Sequence, residues 1–327
     1  SDVCSSDLEN QMKKLFPVLM VLMLFLAACG GVGQDAEPTP IPLATAFPTA
    51  TPVPLNATAA PADQSTEAGS ERVSPVDGMV QVFIPEGSFR MGGLDVKAEE
   101  DEKPDHAVSM SAFWLDKLEI TNAMYMICVQ DGACEPPDFF RSEKHQKYFN
   151  TEEYADYPVI YVTWGDATDY CSWAGKRLPT EAEWERAARG DDFRSFPWGD
   201  ERPDTSRANF DHKINDVSRV GSFPAGASPY GVLDMSGNVW EWVSDFYDAG
   251  YYSLAVAANP SGPLAAKGML SQLRVIRGGS YQDVEKDIRV TNRGHASGPN
   301  PDANDMDSPE FHGESSPKIG FRCASGN

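Results

Sequence analysis

Trp164-Gly-Asp-Ala-Thr-Asp-Tyr-Cys-Ser-Trp-Ala-Gly-Lys-Arg-Leu-Pro-Thr-Glu-Ala-Glu-Trp-Glu-Arg-Ala-Ala-Arg189 carries two helices and the turn between them. Thr163 is placed to cap a helix over Trp164 to Ala174, which Gly175 ends. Thr180 and Glu183 form a capping box for the next helix, which runs through Arg189 with Glu185 and Arg189 paired at i,i+4 and Gly190 past its end. Trp164, Ala167, Cys171 and Ala174 fall on one helix face, and Trp184, Ala187 and Ala188 on a face of the other. Both faces read as core. Trp173, Trp184, Trp240 and Trp242 are likewise assigned to packing rather than to a ligand platform.

Upstream, Thr121 caps a third short helix over Asn122 to Val129. Met79 to Ile84 and Phe113 to Ile120 read as strands bounded by Gly and Pro. Downstream of Gly190 the chain is rich in Gly, Asn, Asp and aromatics, with strand-like pieces at Leu273 to Ile276 and Gly320 to Cys323. The chain has 327 residues, with 27 glycines and 25 prolines, and this argues for extensive irregular backbone rather than a helical bundle. One α+β domain from about 75 to 327 is expected, with three short helices and several short strands.

The segment before the domain reads differently. Met12, Lys13 and Lys14 precede an apolar run, Leu15 to Leu26, and Leu26-Ala-Ala-Cys29 places small residues before a cysteine. This is the pattern of a lipoprotein signal over 12–28, with Cys29 as the lipidated residue and residues 1–11 an upstream artefact. A run of about twelve residues falls short of the roughly twenty needed to span a bilayer. Residues 29–74 are dominated by Pro, Thr and Ala, a composition that cannot bury a core and suits an extended stalk. The expected location is the cell envelope outside the cytoplasm, with the membrane as a partner through Cys29. Lys+Arg 27 against Asp+Glu 49 gives a net charge of −22, which repels phosphate backbones, so nucleic acid is not an expected partner.

With Cys4 and Cys29 set aside, Cys128, Cys134, Cys171 and Cys323 remain, and an exported chain meets an oxidising compartment. Cys128 and Cys134 bracket a tight turn and suit local pairing, which leaves Cys171 with Cys323. Chain entropy assigns about 2 kcal/mol to the short loop and about 5 kcal/mol to the long one. A metal site built from the four lacks both a CxxC and a histidine at ligand spacing.

The stretch 164–189 resembles the formylglycine-generating enzyme (sulfatase-modifying factor) family. Further pieces of the same pattern follow in family order: Met79 to Gly92, Glu119-Ile-Thr-Asn122, Gly237-Asn-Val-Trp-Glu-Trp242, Arg277-Gly-Gly-Ser-Tyr281 and Gly320-Phe-Arg-Cys-Ala324. The resemblance implies a mixed fold related to C-type lectins and low in regular structure. It also implies the Cys171–Cys323 bridge and two calcium ions. One ion would be held by Asp234 and Glu241 side chains with Gly237 and Val239 carbonyls. The other would use Asn209, the Phe210 carbonyl, Asp216 and the Ser218 carbonyl. These are the oxygen donors a hard cation requires.

The family's oxidation of a sulfatase cysteine uses two thiolates that hold Cu(I), a soft ion that prefers sulfur. They follow the Gly-Gly-Ser-Tyr motif, at positions that here are Asp283 and Ile288 beside Ser280. Copper is therefore not expected, and no confident catalytic residue emerges from the cleft positions Ser280, Asp283 and Ile288. The resulting expectation is a calcium-stabilised module that binds a peptide or glycan. The alternative is an oxygen-dependent oxidoreductase with a non-cysteine metal site, for which Asp283, Asp287, His295 and His312 supply facial-triad ligand types. The acidic stretch Pro299 to Glu310 reads as a solvated loop beside that cleft.

Overall fold

A computed structural model of the chain describes residues 66–94, 96–263, 272–299 and 313–326. The signal, Cys29, nearly all of the stalk, His312 and the body of the acidic stretch lie outside the described residues.

Ten strands and three α-helices follow in the order β1 Glu71–Val73, β2 Val80–Ile84, β3 Gly87–Met91, β4 His106–Met110, β5 Phe113–Asp116, α1 Asn122–Gln130, α2 Trp164–Trp173, α3 Glu181–Arg189, β6 Trp240–Phe246, β7 Leu273–Arg277, β8 Arg293–Ser297, β9 Ile319–Phe321 and β10 Ala324–Gly326. Two four-stranded sheets, β1-β2-β5-β10 and β8-β7-β6-β9, and the hairpin β3-β4 make up the strand content. All pairs are antiparallel except β6 with β9. The sheet is already formed at Glu71, which pairs with Val82, a few residues ahead of the expected start near Pro75.

Each helix start is fixed by its own side chains. The Thr121 side chain accepts from the Met124 amide, and Thr180 and Glu183 complete the expected capping box. Thr163 and Asp166 form a second box that the sequence reading did not include. The buried faces of α2 and α3 divide the core as their spacing requires. Ala167, Cys171 and Ala174 pack with Trp240, Trp242 and Phe321. Trp184, Ala187 and Ala188 pack with Val82, Leu115 and Val275 of the two sheets. The strand expected over Phe113 to Ile120 stops at Asp116, where the carboxylate is fully buried and accepts from Gln81 Nε2, Lys176 Nζ and the Cys323 amide. Three donors satisfy this buried carboxylate.

Both disulfides are present, Cys128–Cys134 with Cα atoms 5.4 Å apart and Cys171–Cys323 with 5.7 Å. The second ties α2 to the junction between β9 and β10, and so to both sheets.

Candidate functional site

The cleft positions are set by the turn Gly278-Gly279-Ser280 that follows β7. Gly279 has φ +74°, and a Cβ there would stand 2.7 Å from Ile288 Cγ2 and 2.8 Å from the Asp287 carbonyl. Only glycine lets the turn lie against residues 287 and 288. Ser280 is fully buried, and its Oγ and amide both donate to Asp283 Oδ2, at 2.5 and 2.8 Å. Trp240 Nε1 donates to the same oxygen at 2.8 Å. Three donors on one oxygen hold Asp283 in the turn. Ile288 is fully buried among Phe196, Ala208 and Phe210. One of the two positions therefore carries a hydrogen-bonded carboxylate and the other an apolar contact.

A hollow of about 230 Å³ opens beside Asp283, lined by Trp240, His295, Glu314, Lys318 and Ile319. Trp240, assigned to packing from sequence, does pack, but its indole also borders this hollow and holds Asp283. Of the carboxylate–histidine set considered from sequence, Asp283 and His295 line this hollow, Asp287 does not, and His312 lies outside the described residues. Asp287 accepts from Lys286, and His295 lies against the Tyr247 ring at 4.5 Å. Among the described residues no group of three or more His, Cys, Asp and Glu side chains is placed to hold a metal ion. Either calcium ion would thus depend on amide and carbonyl oxygens as well as carboxylates.

The two expected calcium positions meet at one turn. Asp234, Gly237 and Asn238 have φ of +57°, +81° and +61°. A Cβ on Gly237 would lie 2.2 Å from the Asn209 carbonyl, which in turn accepts from the Asn238 amide at 2.8 Å. Asn238 Oδ1 accepts from the Ser218 amide, and its Nδ2 donates to Glu119 Oε2 at 2.7 Å. At the first position Glu241 is engaged by Arg322 through both oxygens, at 2.6 and 2.7 Å, and by Trp184 Nε1 at 2.8 Å. Asp234 accepts from the Gly221 amide, and burial pushes its carboxyl up to about 6. Glu119 is fully buried with Oε1 unpartnered. Burial, then the charges of Asp234 and Glu241, raise its carboxyl well above the usual range. Three buried carboxylates thus face a single guanidinium, an excess of negative charge that a divalent cation would neutralise.

At the second position Asn209 Nδ2 donates to the Asp216 carbonyl at 2.8 Å and to Ser218 Oγ, while its Oδ1 is buried without a partner. Asp216 accepts from Ser142 Oγ, the Lys144 amide and the Val217 amide. An orphaned amide oxygen is a donor of the kind calcium takes, and Asn209 meets Asp216 at its backbone carbonyl and Ser218 at its hydroxyl. Glu119 and Asn238 had no assigned role from sequence. The one available signal was a carboxylate between the apolar Leu118 and Ile120, a position that buries it.

Short strands, long irregular connections and a buried polar turn define an α+β protein of the C-type-lectin-like class. The chain belongs to the formylglycine-generating enzyme family: the family described as "Sulfatase-modifying factor enzyme 1-like domain" matches residues 64–326. It is 34% identical over 258 residues to the serine/threonine-protein kinase pkn1 of Chlamydia caviae, covering 75% of this chain and 38% of that protein. The chain thus spans under two fifths of that chlamydial relative's length. It is 32% identical over 304 residues to the formylglycine-generating enzyme of Bos taurus, covering 77% and 76% of the two chains. Among solved structures, PvdO from Pseudomonas aeruginosa superposes with a TM-score of 0.64 at 26% identity, over 80% of this chain and all of that one.

Proposed function

We propose that this chain is an exported, lipid-anchored protein whose domain binds a peptide or glycan, is stabilised by calcium, and does not carry out copper-dependent oxidation of cysteine. One observation carries the reading: the two thiolate positions beside Ser280 hold Asp283 and Ile288, and all four described cysteines are in disulfides. A carboxylate fixed by three donors and an isoleucine in an apolar cluster offer Cu(I) no soft ligand. The hollow at Asp283 is the proposed binding cleft. Its mixed lining of Trp240, His295, Glu314 and Lys318 supplies a ring face and both charges, the groups that contact peptides and sugars.

The test is direct. The purified protein, copper, oxygen and a CxPxR sulfatase peptide should give no aldehyde, and turnover would overturn the reading. The alternative, an oxidoreductase with a non-cysteine metal, is favoured by Asp283, His295 and Glu314 lining one hollow. Elemental analysis separates the two readings: stoichiometric iron or copper supports the enzyme, and calcium without either supports the binding module.

A further inference from the structure

Four buried guanidiniums converge on three carboxylates. Arg293 makes two bonds to Glu181, at 2.7 and 3.0 Å, and Arg289 makes two to Glu102, at 2.6 and 2.8 Å. Arg277 and Arg189 share Glu185, Arg277 on Oε2 at 2.6 Å and Arg189 on Oε1 at 2.8 Å. Arg189 therefore has no carboxylate to itself, and its Nε is buried without a partner. A buried guanidinium N–H without an acceptor is costly.

The space beside Arg189 is suited to such an acceptor. A hollow of about 160 Å³ is lined by Arg189, Arg194 and Arg289 together with Phe193, Ser195 and Thr291, and among the described residues no acidic side chain is in its lining. In a chain of net charge −22, a cavity whose described lining carries three cations, their paired carboxylates lying outside it, runs against the overall field. The guanidiniums are held in place: Arg194 by two bonds to Asp192 and one to the Pro197 carbonyl, and Arg289 by Glu102 and the Lys286 carbonyl. An adjoining hollow of about 260 Å³ shares Arg289 and adds Lys97, Arg202 and Lys286 against Glu285. None of these lining residues borders the hollow at Asp283.

We propose that the hollow between Arg189, Arg194 and Arg289 is a binding site for one oxyanion group, a carboxylate, sulfate or phosphate, with Phe193 at its edge available to whatever carries the group. The unpartnered Arg189 Nε and the fixed positive charge of Arg194 and Arg289 suit the oxygens of such a group, and the Ser195 hydroxyl adds a donor, Thr291 being committed to Glu102. The proposal does not depend on the reading of the Asp283 cleft.

The experiment is a sodium sulfate titration of the full chain at constant ionic strength, balanced with sodium chloride and read as melting temperature. A saturable rise is expected. Arg194 is partly exposed, so Arg194→Gln should keep the far-UV spectrum and sulfate-free melting temperature while weakening the apparent Kd at least about tenfold. Arg219→Gln removes an equal charge from an exposed pair with Asp156 and should leave the Kd unchanged. The proposal is overturned if sulfate acts no differently from chloride, or if both variants weaken binding equally. Phenyl sulfate resolves the source: affinity equal to sulfate assigns the free ion, and tighter binding assigns an organic oxyanion packed on Phe193.

Discussion

Asp245 on β6 is a carboxylate placed where ionisation is opposed. It is almost fully buried, accepts from the Glu181 amide at 3.0 Å and from Ser244 Oγ, and is pushed up to about 7 by burial and then by the charge of Glu181. A folded-state value above the unfolded one means the native state holds the proton longer, so stability falls as pH rises from about 4 to about 7. Asp245→Asn removes that dependence. Its stability relative to the parent should climb by up to about 1.4 kcal/mol per pH unit across that window and level off above it, measured by urea unfolding at several pH values. A flat difference would show that Asp245 ionises freely. Residues of this kind are hard to read from sequence, because nothing around Asp245 in the chain announces Glu181 as its neighbour. The cleft positions Ser280, Asp283 and Ile288 were given by the family resemblance at the Gly-Gly-Ser-Tyr motif, and the structure adds that one carboxylate oxygen of Asp283 is tied to Ser280 and Trp240.

At the scale of elements, the helices were legible and several strands were not. Caps and glycines act over three or four residues, so Thr121, Thr180 and Glu183 mark helix starts without tertiary information. The α3 start carries a measurable consequence. Thr180→Ala removes the acceptor of the Glu183 amide, while Glu183 keeps Arg177 at 2.6 Å on both oxygens and the residue-180 amide, so stability should drop by about 1 kcal/mol in chemical denaturation. Strands β6 and β8 were missed for different reasons. Trp240–Phe246 is buried over most of its length because β7 and β9 flank it, which erases the alternation that marks a half-exposed strand. Arg293–Ser297 contains a glycine whose Cβ would meet Trp240 and Ile276 at 2.8 Å, so its packing is written in backbone proximity rather than in hydrophobic side chains.

At the scale of the whole molecule, the two disulfides divide the work of constraint unequally. Cys171–Cys323 closes a loop with a sequence separation of 152, and Cys128–Cys134 one of 6. Replacing the long pair by alanine should lower stability by about 5 kcal/mol, and replacing the short pair by about 2 kcal/mol, in parallel unfolding experiments without reductant. Equal losses would mean that chain entropy is not the governing factor. The same region has a further consequence through its strand order. β9 is the parallel partner of β6 and β10 the antiparallel partner of β5, so residues 319–326 supply an edge strand to each four-stranded sheet. A nascent polypeptide that stops short of this segment leaves two ladders open at once. Both ladders can therefore be completed only after synthesis has passed residue 326, so the two sheets gain their last strands together and late.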